Sequence, residues 1–236
     1  MSKQIAVLGF HKIGEPADGS YPTWNYVSVE RFREYLRILA SDGWTVLNAK
    51  EFVTALDQLE LLPTKSALIT FDDGYRSTLT AALPCLLEFQ FPGVVFVPTG
   101  LIGRLNEFDR YVEPDESLCT WKELAQLSSG KVSVEGHSVD HPRLSQLNDG
   151  ELVYQLRECK RALEDGLGLD VTLFAYPYGD DEHPSISDSL MSEVGYKAAF
   201  KYGGGPFRSN EINRFHIPRL AMGPDSDLLM MLQGVA

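Results

Sequence analysis

The 236-residue chain is poor in cysteine, in positive charge and in long apolar runs. Its three cysteines, Cys85, Cys119 and Cys159, are widely spaced with no C-x-x-C pair. An odd count without a framework argues against structural disulfides and points to reduced thiols in a cytoplasmic protein. Cys85 and Cys159 fall in helix-like segments and read as core residues. Lysine and arginine number 21 against 33 acidic residues, a net charge of −12. Such a chain is a poor partner for nucleic acid or for anionic membrane surfaces, whereas neutral and cationic substrates stay open. No stretch approaches ~20 apolar residues, so no membrane span is expected. The first apolar run, Ile5-Ala6-Val7-Leu8-Gly9-Phe10, is too short, and too soon followed by His11-Lys12, for the core of a signal peptide. No G-x-G-x-x-G follows that run, which weakens a dinucleotide-binding reading, and Gly203-Gly204-Gly205 reads as loop. No linker, repeat or low-complexity tract interrupts the chain, and residues 1–236 are expected to form one domain.

At 44% hydrophobic and 23% charged, the composition supports an ample core. Short apolar runs stand at 5–10, 67–71, 94–98, 132–135, 172–176, 197–201 and 215–219. Helix-period segments lie between them. Residues 28–42 put Phe32, Tyr35, Leu36 and Leu39 on one face, and 49–60 form a second helix. Residues 77–90 form another, with Pro84 as a kink. Thr120-Trp121-Lys122-Glu123 is a capping box that opens a helix ending before Gly130. Further helices are expected over 149–165, 187–194 and 225–233. Strands alternating with helices imply a parallel sheet covered on both faces, either a closed barrel or an open doubly wound sheet.

The polar motifs follow the strands. His11 follows the first run, Asp72-Asp73-Gly74 the second, His137-Ser138-Val139-Asp140-His141 the fourth and Tyr176-Pro177-Tyr178-Gly179 the fifth, while Arg219 ends the last. In parallel α/β folds these C-terminal strand ends share one rim, where active sites are built. Two adjacent carboxylates at the end of a buried strand are costly unless a cation or a proton offsets them. One carboxylate and two histidines suffice for a three-ligand catalytic metal site, and the second carboxylate is then free to act as a base. Pro142 disfavours a helix through His141, so the histidine pair is expected on a single turn in a loop. His11 reads either as a packed rim residue or as a substrate contact. Trp121 reads as a packing residue or as a wall of the substrate groove. His183, in the acidic loop 180–183, is expected to be solvated. The direction of His216 depends on the register of the last strand.

Thr70-Phe71-Asp72-Asp73-Gly74 and His137-Ser138-Val139-Asp140-His141 resemble the T-F-D-D-G and H-[S/T]-x-x-H motifs of the polysaccharide deacetylases with a NodB homology domain, carbohydrate esterase family 4. Phe174-Ala175-Tyr176-Pro177-Tyr178-Gly179 is similar to a third, looser motif, R-x-P-Y, with Ala175 where an arginine usually stands. The Tyr-Pro-Tyr-Gly and Ile217-Pro218-Arg219 segments resemble the poly-N-acetylglucosamine deacetylase subgroup. The resemblance implies a distorted (β/α) barrel of about seven parallel strands. It implies Asp73, His137 and His141 as ligands of a divalent metal, zinc first, with cobalt, nickel or manganese as alternatives. It implies Asp72 as the general base and the Tyr178 backbone N–H as oxyanion donor. Arg219 is placed beside Asp72 in the role of the missing arginine. The resemblance leaves the general acid unassigned, with His216 and Asp72, once it has taken a proton from water, as the candidates. Pro177, Tyr178, Gly179, Tyr75, Trp121 and His11 are the expected substrate contacts.

The function so implied is metal-dependent removal of N-acetyl groups from an N-acetylated sugar or glycan. The alternatives are deacylation of another small amide or an O-acetyl ester on the same site, or a catalytically weak glycan-binding barrel. A non-haem iron oxygenase also uses two histidines and a carboxylate, but it has no need of the second aspartate. The partner is a carbohydrate. Oligomeric state is not legible in the sequence.

Overall fold

The computed structural model describes residues 3–16 and 20–233, so the ends of the expected 1–236 domain lie outside the described residues. The barrel wall is built from β1 (Gln4–Phe10), β2 (Lys65–Phe71), β3 (Gly93–Val97), β4 (Val132–Gly136), β5 (Leu173–Ala175), β6 (Ala198–Phe200) and β7 (Leu220–Ala221). These pair in parallel in the order β7-β1-β2-β3-β4-β5-β6. Two short strands extend the sheet, Thr45–Val46 parallel to β2 and Phe207–Arg208 antiparallel to the start of β1.

The last strand differs from the run expected at 215–219. Ile217 bridges to Phe200, Lys201 N–H donates to the Ile217 carbonyl at 2.9 Å, and Ile217 N–H donates to Ala199 at 3.0 Å. Pro218 has no N–H to continue that ladder, and the Arg219 N–H turns to the Gly203 carbonyl at 3.2 Å. Pairing resumes two residues on, where Leu220 and Ala221 lie opposite Leu8 and Gly9 of β1. The segment 217–221 thus joins β6 to β1 and closes the barrel.

Each strand alternates its side chains between two apolar cores. Ile5, Val7, Leu68, Val94, Phe96, Ala198 and Phe200 fill the barrel interior. Helix α2 (Ala49–Asp57) joins them through Phe52, whose ring lies 5.8 Å from Phe200. Ala6, Leu8, Phe10, Ile69, Phe71, Val95, Val97 and Val134 point outwards. They pack under α1 (Val29–Ser41), α3 (Leu83–Glu88), α4 (Trp121–Ser129), α5 (Asp149–Leu167) and α6 (Asp188–Val194). The short α7 (Leu228–Gln233) ends the described chain and covers less than the expected 225–233. Helix starts follow local chemistry. Thr120 with Glu123, and Asn148 with Glu151, form reciprocal capping boxes on α4 and α5. The segment expected to kink at Pro84 opens with a wide π-helical turn, Thr78–Ala82, in which the Leu83 N–H reaches back to the Thr78 carbonyl. Proline supplies no N–H one residue later, and the widened turn absorbs the mismatch. All three cysteines are buried thiols, and burial pushes Cys119 and Cys159 up to about 12.

Between β4 and β5 the ladder is reduced to the pair Gly136–Phe174. The buried carboxylate of Glu135 substitutes for the missing strand contacts by accepting the N–H groups of Thr172 and Leu173 at 2.8 and 2.7 Å. Burial outweighs those two bonds and pushes Glu135 from 4.5 up to about 8. Its folded pKa is raised, so its contribution to stability is complete below the unfolded value and is lost as pH rises through about 8. Glu135→Gln keeps an oxygen for both N–H groups and carries no charge. The variant should melt roughly 5 °C above the parent at pH 8–9, with the gap closing toward pH 4–5, in thermal scans across pH.

Candidate active site

The C-terminal strand ends open onto one cavity of about 740 Å³, lined in part by His11, Asp72, Asp73, His137, His141 and Tyr178. The adjacent carboxylates diverge there. The Asp72 N–H continues the strand ladder to Phe10 at 2.8 Å, whereas Asp73 takes a left-handed conformation with φ 70°. Asp72 therefore faces one partner and Asp73 another, and both are 3% exposed.

Asp73 Oδ1 lies 3.2 Å from Nε2 of His137 and 3.2 Å from Nε2 of His141. The His137 ring is oriented by its Nδ1–H, which donates to the Ala175 carbonyl at 2.7 Å and leaves Nε2 to face Asp73. His141 is positioned by a strained loop, with Ser138 and His141 at φ 66° and 57°. Such conformations cost of order 1–3 kcal/mol each and persist only where surrounding contacts enforce them. Here the Ser138 hydroxyl accepts the His141 N–H at 3.0 Å. Gln155 of α5 accepts the N–H groups of Val139 and Asp140 at 2.8 and 3.0 Å and donates to Asp140 at 2.9 Å. The Phe108 and Tyr178 rings flank His141, at 4.1 and 4.6 Å between centroids.

The three ligand atoms lie within 4.8 Å of one another. Asp73 Oδ1 is buried and makes no hydrogen bond, although two imidazole nitrogens stand beside it. A buried carboxylate oxygen without a donor is costly, and a divalent cation held by the three atoms would offset that cost. One oxygen and two imidazole nitrogens suit zinc and its first-row neighbours, so these residues fit the metal that the motifs imply. Burial pulls against the charge on Asp73, but the two imidazoles outweigh it and hold the group well below the usual carboxylate range. Burial lowers His141, which favours the neutral ring that ligates metals. Gln155→Ala keeps all three ligand side chains but frees the 138–141 loop that positions His141. It should weaken zinc affinity by about 10- to 100-fold in calorimetric titration, the range seen for lost outer-shell partners.

Asp72 is held differently. Arg219, 0% exposed, approaches it with both ends of its fork, Nη1 to Oδ1 at 2.7 Å and Nη2 to Oδ2 at 2.6 Å. The guanidinium is fixed in turn by Nε to the Lys201 carbonyl at 2.7 Å and Nη1 to the Thr70 hydroxyl at 3.1 Å. Burial alone would raise Asp72. The Arg219 charge and its hydrogen bonds, with His137 and His11 adding, outweigh burial and hold Asp72 below the usual range.

The remaining candidates divide. His11 lines the cavity, with Nδ1 3.4 Å from the Tyr202 hydroxyl. Tyr178, at φ 59°, and Gly179 also line it, while Pro177 is buried beneath them. His216 is not brought to the cavity lining; it lies in a turn before the pairing at Ile217, its N–H donating to the Asn213 carbonyl at 3.0 Å, and its Nδ1 lies 2.7 Å from Asp181 Oδ2. Trp121 is half-exposed on the first turn of α4, beside Gly166 of α5, and is not among the lining residues. Tyr75 is buried behind the lining. His183 is not solvated: it is buried, with Nε2 bonded to the Leu147 carbonyl at 2.9 Å. The sequence reading missed Trp24, Phe108, Asp109, Arg143 and Tyr202, which also line the cavity. Of these, Tyr202, close after the end of β6, and Arg143, two residues after His141, had a positional signal.

The fold and the site together define a class: a parallel (β/α) barrel with a carboxylate and two histidines on its C-terminal rim. The chain belongs to the polysaccharide deacetylase family, whose model matches residues 61–199. It is 24% identical to YxkH of Bacillus subtilis (strain 168) over 176 residues, 75% of this chain and 57% of that protein. It is 21% identical to the poly-beta-1,6-N-acetyl-D-glucosamine N-deacetylase of Escherichia coli (strain K12) over an alignment of 265 residues, 98% of this chain and 38% of that protein. The chain therefore spans only part of the length of either relative. In fold it is similar to the Streptococcus pyogenes deacetylase PplD, described in complex with acetate, with a TM-score of 0.81 at 22% identity over 98% of this chain and 99% of that one. Among the described residues no helix is long and apolar enough to cross a membrane.

Proposed function

We propose that this protein is a divalent-metal-dependent hydrolase that removes N-acetyl groups from an N-acetylated sugar or glycan of the N-acetylglucosamine type. The observation that carries the reading is the divergence of Asp72 and Asp73 inside one open cavity, one carboxylate facing two imidazoles and the other an arginine. Family membership and the relative named for N-acetylglucosamine deacetylation support the substrate class.

A divalent cation at Asp73, His137 and His141 supplies Lewis acidity toward an acetyl carbonyl and acidifies water. Asp72, kept ionised by Arg219, takes a proton from the attacking water. Because Arg219 occupies both carboxylate oxygens from one side, the remaining lone pairs have a fixed direction. The Tyr178 backbone N–H, in its strained turn, is the donor assigned to the developing oxyanion. The carbon–nitrogen bond then breaks, acetate departs and the amine takes a proton. Asp72, now carrying the water's proton, or His11 is the group that delivers it. His137 and His141 are turned to Asp73 and His216 to Asp181, so His11 is the remaining imidazole lining the cavity among the described residues. Trp24 and Tyr178 give aromatic surface on which a sugar face can rest.

The test is acetate release from N-acetylglucosamine oligomers by zinc-reconstituted protein. Release that depends on added metal is the expected result. Release from O-acetyl esters alone would replace the substrate class, and bound metal with no release from any acetylated sugar would favour a glycan-binding barrel.

A further inference from the structure

Four acidic side chains line the cavity, and three are tied down. Asp72 is paired with Arg219 and Asp73 faces the two imidazoles. Glu113 accepts from Lys12 at 2.7 Å, from the Thr23 hydroxyl at 2.6 Å and from the Asn25 amide at 2.8 Å. The fourth, Asp109, is half-buried, and its carboxylate makes no hydrogen bond or ion pair with any described residue.

Asp109 does not hang on a loose loop. Its carbonyl accepts the N–H groups of Val112 and Glu113 at 2.9 and 3.0 Å, and its own N–H donates to the Asn106 carbonyl at 3.1 Å. The buried Asn106 side chain clamps the same loop from below, donating to the Pro114 carbonyl at 2.9 Å and accepting from the Glu116 N–H at 2.7 Å. Phe108, next in the chain, rests against His141. A rigid support therefore holds a carboxylate without a partner beside the metal-binding residues. The electrostatics match: burial, Asp73 and Glu113 act against the charge, and Asp109 is pushed up to about 6. Burial strips part of that carboxylate's hydration and no described side chain replaces it, so a ligand that brings hydroxyl donors recovers part of the cost.

We propose that Asp109 is a specificity-determining residue, accepting hydrogen bonds from hydroxyl groups of the sugar that carries the reacting acetyl group. This rests on the deacetylase reading of the same cavity. A sugar brings adjacent hydroxyl donors. A simple acetyl ester without hydroxyls offers none, yet uses the same metal residues and the same base.

The test compares Asp109→Asn and Asp109→Ala with the parent on two substrates, an N-acetylglucosamine oligomer and 4-nitrophenyl acetate, with zinc content and melting temperature measured on each sample. The expected result is a loss of roughly 10- to 100-fold in kcat/KM on the oligomer for Asp109→Ala, the size of one charged hydrogen bond. The loss should fall mainly on KM, be smaller for Asp109→Asn, and leave the ester within about threefold. Equal losses on both substrates, or no loss on the oligomer by an active parent, would overturn the proposal. A parent that binds zinc and cleaves the ester but no acetylated sugar would overturn the deacetylase reading itself, and Asp109's role with it.

Discussion

Asp72→Asn is expected to lower turnover by about 10²- to 10⁴-fold while leaving metal content at the parent level, the range for loss of a positioned general base. The amide has nearly the carboxylate's shape, so the loss would not come from a missing contact with Asp73 or the histidines. It cannot take a proton from water, and one of its ends now presents N–H donors to the donors of Arg219. Arg219 is 0% exposed and loses its counter-charge in this variant, so stability falls as well. Removing one partner of a buried ion pair costs about 3–5 kcal/mol. Turnover must therefore be read at a temperature where the variant is folded, with zinc content determined on the same sample. Activity within a few-fold of the parent would remove Asp72 from the role of base. In the parent, Arg219 holds Asp72 below its ordinary value of 3.8, so protonation of this base should not limit turnover at any pH above about 4.

Arg219→Met is expected to act on the same carboxylate from the other side. Methionine fills much of the volume between Phe96 and Tyr202, whose rings lie 5.6 and 5.3 Å from the guanidinium carbon, but it returns no charge. Burial of Asp72 is then opposed mainly by His137 and His11, and its pKa rises. Turnover at pH 7 should fall by more than tenfold and recover in part as pH is raised, because the acid limb of the profile moves up. The melting temperature should drop by roughly 10 °C. In the parent, Asp72's folded pKa is depressed, so the stabilisation from this pair is present above the unfolded value and is lost as pH falls through the folded one. The stability gap between parent and variant should therefore narrow in acid. Metal content should stay near that of the parent. Arg219→Lys restores charge without the two-pronged contact and should recover only part of either loss. A pH–rate profile unchanged by Arg219→Met would show that Asp72 is not tuned by this guanidinium.

The groups legible in the sequence are those that sit at strand ends. Asp72, Asp73 and His137 follow apolar runs directly, and the parallel topology carries them to one rim without long-range information. Arg219 was read as ending the last run, but it stands between the Ile217 bridge and β7; what singled it out was the resemblance of the Ile-Pro-Arg segment, not a strand end. His216 was not legible: it was read as part of the last strand, but it sits in a turn before the pairing at Ile217, its N–H donating to the Asn213 carbonyl, and its ring meets Asp181. His183 was read from its acidic neighbours, yet two backbone contacts to the ring bury it. Asp109 had no signal at all. It ends a single turn, Glu107–Asp109, in a loop without periodicity or motif. Its distinction, being the acidic side chain of the cavity that nothing else occupies, exists only once Lys12, Thr23 and Asn25 have folded onto Glu113.

The central claim is that two neighbouring carboxylates have different work: Asp73 holds a metal and Asp72 does not. The most direct measurement is the zinc-to-protein ratio of Asp72→Asn beside Asp73→Asn, each purified, stripped and reloaded in the same way. The account predicts that Asp72→Asn binds zinc like the parent and that Asp73→Asn loses it. Equal retention or equal loss in the two variants would contradict the division.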